Sequence, residues 1–234
     1  MAVADPALAH VVIAIDGTAG AGKSTTSRAV ARTLGLRYLD TGGMYRAVTL
    51  AVLRSGVALD DAAAVVESAG RAVVEARTSP TEPGTSLDGV DVSREIRTQA
   101  VTSAVSQVSA VPDVRGLMVV LQRREIGDGG IVVEGRDIGT VVVPDADLKV
   151  YLTAAPSARA QRRAAEQAAS SGGDVATVQA DLARRDDADS TRVVSPLSVA
   201  RDAVVVDSTH LSRQEVVDLV VDLVWDRLAV RSGG

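Results

Sequence analysis

The stretch VVIAIDGTAGAGKSTT, residues 11–26, joins an apolar run to a glycine-rich turn and then to a helix-forming segment. We predict a strand over residues 10–15 and a helix over residues 24–34, which is the order of a βα unit in a parallel sheet. Other short apolar runs predict strands at residues 37–39, 131–133, 149–152 and 203–206. We also predict a hairpin that turns at Asp88-Gly89, a helix over residues 94–109, a helix break at residues 170–173, a backbone turn at Gly135, and frayed ends at residues 1–9 and 231–234. The sequence therefore predicts an α/β fold with three layers around a central parallel sheet.

The turn at residues 17–24 fits the phosphate-binding P-loop pattern G-x-x-x-x-G-K-[ST]. Glycines let backbone N–H groups turn inward around an anion, and the following helix N-terminus adds partial positive charge. Chance predicts only about 0.002 such matches in a chain of this composition. A ligand-free turn is the alternative. The expected site for ATP comprises Gly17, Thr18, Ala19, Gly20, Ala21, Gly22, Lys23, Ser24 and Thr25, with Ser24 as the Mg²⁺ ligand.

Composition narrows the function classes. The chain has 234 residues, 46% of them apolar, which suits one α/β domain with insertions. Aromatic residues make up only 2%, so Val, Ala, Leu and Ile must fill the core. The net charge of −5 argues against a general nucleic-acid binder, and the absence of Cys argues against disulfides and thiol chemistry. With no signal-peptide pattern or long apolar helix, we predict a cytoplasmic protein with no membrane partner.

The chain contains no asparagine. This absence excludes the guanine-reading element of GTPase switches and the metal-binding asparagine of protein kinases. AAA-like and transport ATPases end an apolar strand with Asp-Glu, whereas here the run at residues 204–207 continues with Ser208. A kinase for a small substrate remains, and its acceptor must lie opposite the P-loop.

Two further polar segments follow predicted strands, DTGGMYR at residues 40–46 and EGRDIGT at residues 134–140. Ligands gather at the carboxyl edge of parallel sheets, where both segments belong. Each also has a purely structural explanation, with Thr41 as a helix N-cap and residues 134–140 as a knot of salt bridges. The charged stretch at residues 157–192 is typical of solvated helices, and we expect Arg159, Arg163 and Arg184 to be solvated.

These segments, together with S-Q-V at 106–108, V-R-x-L at 114–117 and R-D-x-x-D-x-x-R at 185–192, resemble the bacterial cytidylate kinase family. The resemblance runs in consistent order from residue 12 to about residue 228. It implies a P-loop core (residues 1–40, 106–156 and 193–234) and a CMP-binding region with an inserted β/α subdomain (41–105). It also implies a short lid (157–192) and transfer of phosphate from MgATP to CMP or dCMP.

The resemblance also implies a role for each matching residue. The contacts to cytosine would come from Thr41, Arg115 and Asp137. The clamp on the CMP phosphate would come from Arg46, Arg136 and Arg192. The sugar would be held by Ser106, Arg185 and Asp189, with Tyr45 as a further CMP-binding residue. The catalytic groups at the transferring phosphoryl would be Lys23, Arg162 and Arg185.

Elementary chemistry is consistent with this assignment. Cytosine offers an amino donor at N4, which a carboxylate and a hydroxyl can accept, and ring acceptors that an arginine can satisfy. Glu134 has two open interpretations: it orients Arg136, or it binds Mg²⁺ through water. Two rival functions also stay open, a kinase for another small acceptor such as UMP, and a P-loop module that binds without transfer. We expect a monomer whose partners are ATP and CMP or dCMP.

Overall fold

The computed structural model describes residues 5–168 and 174–232. The strands are β1 (Val12–Gly17), β2 (Arg37–Asp40), β3 (Val74–Arg77), β4 (Gly84–Leu87), β5 (Val90–Asp91), β6 (Ile131–Glu134), β7 (Leu148–Thr153) and β8 (Val204–Asp207). The helices are α1 (Lys23–Leu34), α2 (Thr41–Ser55), α3 (Ala62–Arg71), α4 (Gln99–Ala110), α5 (Pro112–Ile126), α6 (Pro156–Ala168), α7 (Val175–Ser190) and α8 (Arg213–Ser232).

The central sheet has five parallel strands in the order β2-β6-β1-β7-β8. All five include segments that the sequence predicts as strands, so the predicted α/β fold is confirmed. Because the strands are parallel, their carboxyl ends meet at one edge of the sheet. That edge brings Gly17, Asp40 and Glu134 together, with Asp40 paired in register with Glu134.

Alternation along β1 divides the core into two faces. Ile13 and Ile15 pack with α1 and α8, whereas Ala14 belongs to the cluster formed with helices α2 to α5. Successive side chains of a strand point to opposite faces, so a sheet covered by helices on both sides needs apolar residues at every position. The three predicted layers are confirmed, and Val, Ala, Leu and Ile supply most of the core.

Residues 72–92 form a separate antiparallel sheet in the order β3-β4-β5. Its predicted hairpin turns at Asp88-Gly89, where both residues have positive φ, 51° and 78°. Such a pair suits the backbone of a tight two-residue hairpin. The small sheet meets the large one through the Tyr38 amide, which donates to the Thr78 carbonyl at 2.8 Å.

Two predicted features are wrong. The helix expected over residues 94–109 is instead a short 3-10 turn, Glu95–Arg97, followed by α4, because Thr98 has extended backbone (φ −63°, ψ 159°) and restarts the helix. The first nine residues were expected to fray, but Pro6–Leu8 form a 3-10 turn and buried Leu8 packs under the sheet. Residues 1–4 and the helix break expected at residues 170–173 lie outside the described residues.

No single helix in the described ranges combines the length and apolarity needed to cross a membrane. A bent pair, α4 with α5, meets those criteria of length and composition, and its two helices join at 99°.

Candidate active site

A single cavity of about 1060 Å³ opens at the carboxyl edge of the central sheet. Its walls come from the P-loop, α2, the small sheet, α4, α5, the loop after β6, α6 and α7. All the residues predicted for the site line this cavity except Gly17 and Thr18. The structure therefore brings together residues that are up to 173 positions apart in the chain, from Ala19 to Arg192.

The P-loop keeps its shape through three glycines with positive φ, Gly17 (143°), Gly20 (77°) and Gly22 (93°). Gly17 has a second constraint, since a Cβ there would lie 1.9 Å from the carbonyl oxygen of Leu152 in β7. At Gly22 a Cβ would contact nothing within 4 Å, so only the backbone conformation favours glycine there. Helix α1 begins directly after Gly22, which places its N-terminus at the cavity.

Lys23 is buried in the loop, where its Nζ donates to the carbonyls of Gly17 at 2.9 Å and Thr18 at 2.7 Å. Burial, and then the charge of Arg136, lowers the pKa of this amine, and the Glu134 carboxylate acts in the opposite direction. A phosphate bound in the loop would favour the ammonium form.

Glu134 ends β6 beside the P-loop and is 3% exposed. The Tyr38 hydroxyl donates to its Oε1 at 2.5 Å, while its Oε2 is buried with no hydrogen-bond partner in the part of the chain that the structure describes. Burial, followed by the charge of Asp40, raises the pKa of Glu134, and the nearby Ser24 hydroxyl opposes this rise. An orphaned carboxylate oxygen beside the P-loop serine suits a hydrated cation.

One end of the cavity carries a buried ion pair, Arg115 with Asp137, whose side chains are 2% and 4% exposed. The Arg115 guanidinium also donates to the Ser109 carbonyl at 3.1 Å and lies over the Tyr45 ring, 5.2 Å from its centroid. Thr41 is also buried and lines the same cavity, and its hydroxyl donates to the Glu134 carbonyl at 2.6 Å. The three residues predicted to contact the base, which we call the buried wall, thus all line this cavity.

Asp16, the residue of β1 directly before the P-loop glycine, fixes the backbone of the EGRDIGT segment. Its two carboxylate oxygens accept the backbone N–H groups of Ile138 at 2.9 Å and Gly139 at 2.8 Å. Gly135 does not have positive φ; glycine is needed because a Cβ would lie 2.6 Å from Ile138 and 2.8 Å from the Thr41 hydroxyl. Glycine is therefore required at the expected backbone turn because the side chains of Ile138 and Thr41 lie too close for a Cβ.

Four arginines line the middle of the cavity: Arg46, Arg136, Arg185 and Arg192. Burial, and then repulsion from Arg185, lowers the pKa of Arg46 to about 10, and burial also lowers the pKa of Arg185 and Arg192. Arg192 has two buried nitrogens, Nε and Nη2, without partners in the described structure, and Arg185 has one. Cations that repel one another and keep unsatisfied donors form a site for an anion.

Asp189 organises this arginine cluster. It accepts from Arg136 Nε at 2.9 Å and lies 3.6 Å from Arg192 Nη1. Burial would lower the pKa of Arg136, but the charge and hydrogen bond of Asp189, together with the charges of Asp186 and Glu134, outweigh it and the pKa is raised. Ser106 lines the same cavity from α4, so the residues predicted to hold the sugar lie beside the predicted phosphate clamp.

Several predictions about individual side chains need correction. The expectation that Arg159 is solvated is wrong, since it is 8% exposed and ion-paired with Asp186. Arg163, expected to be solvated, lines the cavity, whereas Arg184 is exposed as predicted. Helix α2 is capped by Asp40, which accepts the Gly43 amide at 2.7 Å, so the N-cap explanation of Thr41 is wrong.

Arg162 lines the cavity, but its guanidinium donates to the Ser208 hydroxyl at 2.9 Å and the Ser208 carbonyl at 2.6 Å. The Ser208 N–H donates to the Thr153 carbonyl of β7 at 2.8 Å, and its hydroxyl lies 3.3 Å from the Ala21 carbonyl of the P-loop, so this serine connects three elements. Sequence reasoning missed Ser208, together with Asp16, Asp186 and the buried Gln122 next to Tyr45. Only Asp16 had a usable signal, because it ends a buried strand directly before the P-loop.

Comparison with known proteins agrees with this geometry. The family model described as cytidylate kinase matches residues 13–226. Curated cytidylate kinases from Streptomyces griseus, Mycobacterium leprae and Rhodococcus opacus are 51%, 53% and 53% identical to the chain. Each alignment covers 94% of this chain and, respectively, 95%, 98% and 97% of the relative. The chain therefore belongs to the cytidylate kinase family.

Proposed function

We propose that this protein transfers the γ-phosphoryl group of ATP to CMP or dCMP, forming ADP and CDP or dCDP, as a cytoplasmic monomer. The observation that carries the proposal is the half-buried arginine cluster, with buried unsatisfied donors at Arg185 and Arg192, in the same cavity as the P-loop. Two anion sites in one cavity suit a reaction between two phosphates. The division into core, CMP-binding region (41–105) and lid (157–192) is part of this proposal.

Base selection follows from the hydrogen-bond directions at the buried wall. The only hydroxyl proton of Thr41 is donated to the Glu134 carbonyl, so towards a ligand the hydroxyl can only accept. An Asp137 carboxylate is likewise an acceptor. Both therefore fit the N4 amino group of cytosine and oppose the O4 carbonyl of uracil. Each mispaired buried group costs about 1–3 kcal/mol, which gives a preference of roughly tenfold to several hundredfold for CMP over UMP.

The arginines divide between phosphate and sugar. Arg46, Arg136 and Arg192 would hold the CMP phosphate with charge-assisted hydrogen bonds. Ser106, Arg185 and Asp189 would hold the sugar, since they combine hydroxyl, donor and acceptor groups in the same stretch of the cavity. Tyr45, whose ring faces the Arg115 guanidinium, would be a further contact to CMP.

Mg²⁺ is expected at the Ser24 hydroxyl, with Glu134 reaching it through water. The orphaned Glu134 Oε2 fits this role, and the described residues contain no cluster of three carboxylate or imidazole ligands. A site with so few protein ligands suits Mg²⁺, which keeps most of its waters and binds substrate phosphates. When bound, the ion would neutralise charge on the β- and γ-phosphates.

Catalysis needs no dedicated base, because the acceptor phosphate is already anionic. The protein's task is to bring two anions together in line and to stabilise the transferring phosphoryl group. Lys23, Arg162 and Arg185 would supply that charge. For Arg162 this requires release from Ser208, where both of its terminal nitrogens are engaged.

A coupled ADP-release assay with CMP, dCMP, UMP and AMP tests the proposal. We expect CMP and dCMP to give the highest kcat/KM, UMP a value at least tenfold lower, and AMP no measurable turnover. A faster reaction with UMP would contradict the base-recognition argument. ATP binding without turnover of any acceptor would instead indicate a nucleotide-binding module.

A further inference from the structure

The third residue of the P-loop is clamped on both sides by the two helices of the lid. The backbone N–H of Ala19 donates to Asp186 Oδ1 in α7 at 2.9 Å. The carbonyl of the same residue accepts from Arg159 Nη1 in α6 at 2.9 Å. Ala19 belongs to the predicted ATP site, but Arg159 and Asp186 had no predicted role in it.

Arg159 and Asp186 also hold each other. Arg159 Nη1 donates to Asp186 Oδ2, and Arg159 Nε donates to the Ala154 carbonyl at 3.1 Å. The two side chains are 9% and 16% exposed, so both charges lie largely out of water. A charge pair in such surroundings needs well-formed hydrogen bonds, and here the P-loop backbone supplies two of them.

Apolar packing reinforces the same contact. Ala19, Ala164, Val178 and Leu182 form a small buried cluster of their own, separate from the two main cores. Next to it, a Cβ at Gly20 would lie 3.3 Å from both Arg159 Cβ and Leu182 Cδ1. The P-loop therefore packs directly against α6 and α7 through both polar and apolar groups.

Helix α7, which this contact holds, carries two residues of the proposed acceptor site. Arg185 and Asp189 lie immediately before Asp186 and one turn after it, and both line the cavity. Asp189 accepts from Arg136, which follows β6. Asp186 and Asp189 are three residues apart and share a face of α7. The orientation of α7 on the P-loop thus determines where Arg185 and Asp189 lie in the cavity, and Asp189 in turn holds Arg136.

We infer that Arg159 and Asp186 are positioning residues that latch the lid to the Ala19 peptide groups, so that one contact sets the donor and acceptor sites relative to each other. This latch rests on the proposed function and adds to it. It touches neither substrate in that proposal. Its expected signature is a loss of turnover without an equal loss of ATP affinity, because the P-loop glycines and Lys23 stay in place.

The variants Asp186→Asn and Arg159→Lys test the latch. Asp187→Asn and Arg184→Lys are matched controls, since they make the same chemical changes at exposed positions of α7. We expect kcat with saturating ATP and CMP to fall about 10- to 100-fold in the latch variants, because small misplacements of positioning groups are that costly. The dissociation constant of a non-hydrolysable ATP analogue should change less than threefold, and the controls should match wild type.

Hydrogen exchange of the Ala19 amide, followed by NMR, reports on the contact itself. We expect exchange to accelerate at least tenfold in Asp186→Asn and to stay unchanged in Asp187→Asn. Faster exchange with wild-type kcat would show that the pair is only structural and would overturn the inference. An unchanged exchange rate in Asp186→Asn would show that Asp186 does not hold the Ala19 amide and would also overturn the inference. Failure of the wild-type protein to phosphorylate CMP would defeat the proposed function instead, and the exchange data would still judge the latch.

Discussion

The proposed donor (ATP) and acceptor (CMP) sides of the cavity are built from different chemical groups. The P-loop is one contiguous stretch whose recognition groups are backbone amides, three glycines and a single lysine. The acceptor side consists of side chains from α2, α4, α5, α7 and the loop after β6, most of them arginines and aspartates. Backbone groups recognise any triphosphate, whereas converging side chains can recognise one base. Binding of a triphosphate and selection of one base are thus expected in different parts of the cavity.

The largest expected effect tests whether the donor side depends on its one side-chain charge. Lys23→Ala should lower kcat about 100- to 1,000-fold, because it removes a preorganised positive group from the transferring phosphate. CMP affinity should change less than threefold. Lys23→Met, which keeps the length of the side chain, should lose as much. Equilibrium binding and steady-state kinetics check both values, and an unchanged turnover number would refute the assignment of Lys23.

Arg192 tests the acceptor side in the same way. Arg192→Ala should weaken CMP binding about 10- to 150-fold, the value of one hydrogen bond to a charged group. ATP affinity should stay within threefold of wild type. Arg192→Lys should recover only part of the loss, since one ammonium cannot replace a planar fork. Calorimetric titration with CMP measures the change, and Arg184→Ala, at an exposed position, is the control. A similar loss of CMP affinity in Arg184→Ala would contradict a specific role for Arg192 in CMP binding.

Asp137→Ala sharpens the comparison at the base. It should lower kcat/KM for CMP by about tenfold or more, narrow the preference over UMP, and leave the KM for ATP nearly unchanged. Because the change leaves Arg115 buried without its partner, Asp137→Asn provides a second variant of nearly equal volume. Equal losses for CMP and ATP in both variants would indicate a structural role.

The smallest expected effect concerns pH. Burial raises the pKa of Asp16 to about 6, although its two backbone hydrogen bonds lower it. Below that pH the carboxyl takes up a proton and one oxygen can no longer accept freely, so the Ile138–Gly139 backbone that places Asp137 should loosen. We expect the KM for CMP to rise roughly threefold more than the KM for ATP between pH 7 and pH 5.

Asp16→Asn supplies the control for this pH effect. It carries no titrating carboxyl, so its KM for CMP should be high throughout and flatter with pH than that of wild type. Titration of the CMP phosphate itself cancels in the ratio of the two proteins, which makes that ratio the quantity to measure. Parallel profiles for both proteins would contradict the role given to Asp16.

The fold could be predicted wherever the signal is local. Buried parallel strands are short apolar runs, and the P-loop pattern is contiguous because its backbone nest is contiguous. Element boundaries were less accurate, and the break at Thr98 was missed because apolar periodicity continues across it. The π-helical turn at Ile138–Val142 had no pattern of its own, since Asp16 fixes it from another strand.

The acceptor site could be named only through the family resemblance. Thr41, Arg115 and Asp137 come from separate segments, and no spacing rule encodes their convergence. Arginines on charged helices are hard to predict for another reason: similar local sequences can be buried or exposed. Arg159 and Arg184 look alike in sequence and both form ion pairs, yet Arg159 is buried against the P-loop and Arg184 is exposed. Burial of an arginine depends on what packs against the helix, which the helix's own sequence does not specify.

The contact between Gly17 and Leu152 has a consequence for evolution. A side chain at this glycine would push apart two central strands, so selection there acts on the stability of the sheet as well as on nucleotides. Gly22 has open space and only a conformational constraint. A descendant protein that stopped using ATP would therefore keep the first glycine and lose the second more readily. A P-loop pattern that keeps the first glycine and lacks the second would therefore indicate a protein that descends from a kinase and no longer uses ATP.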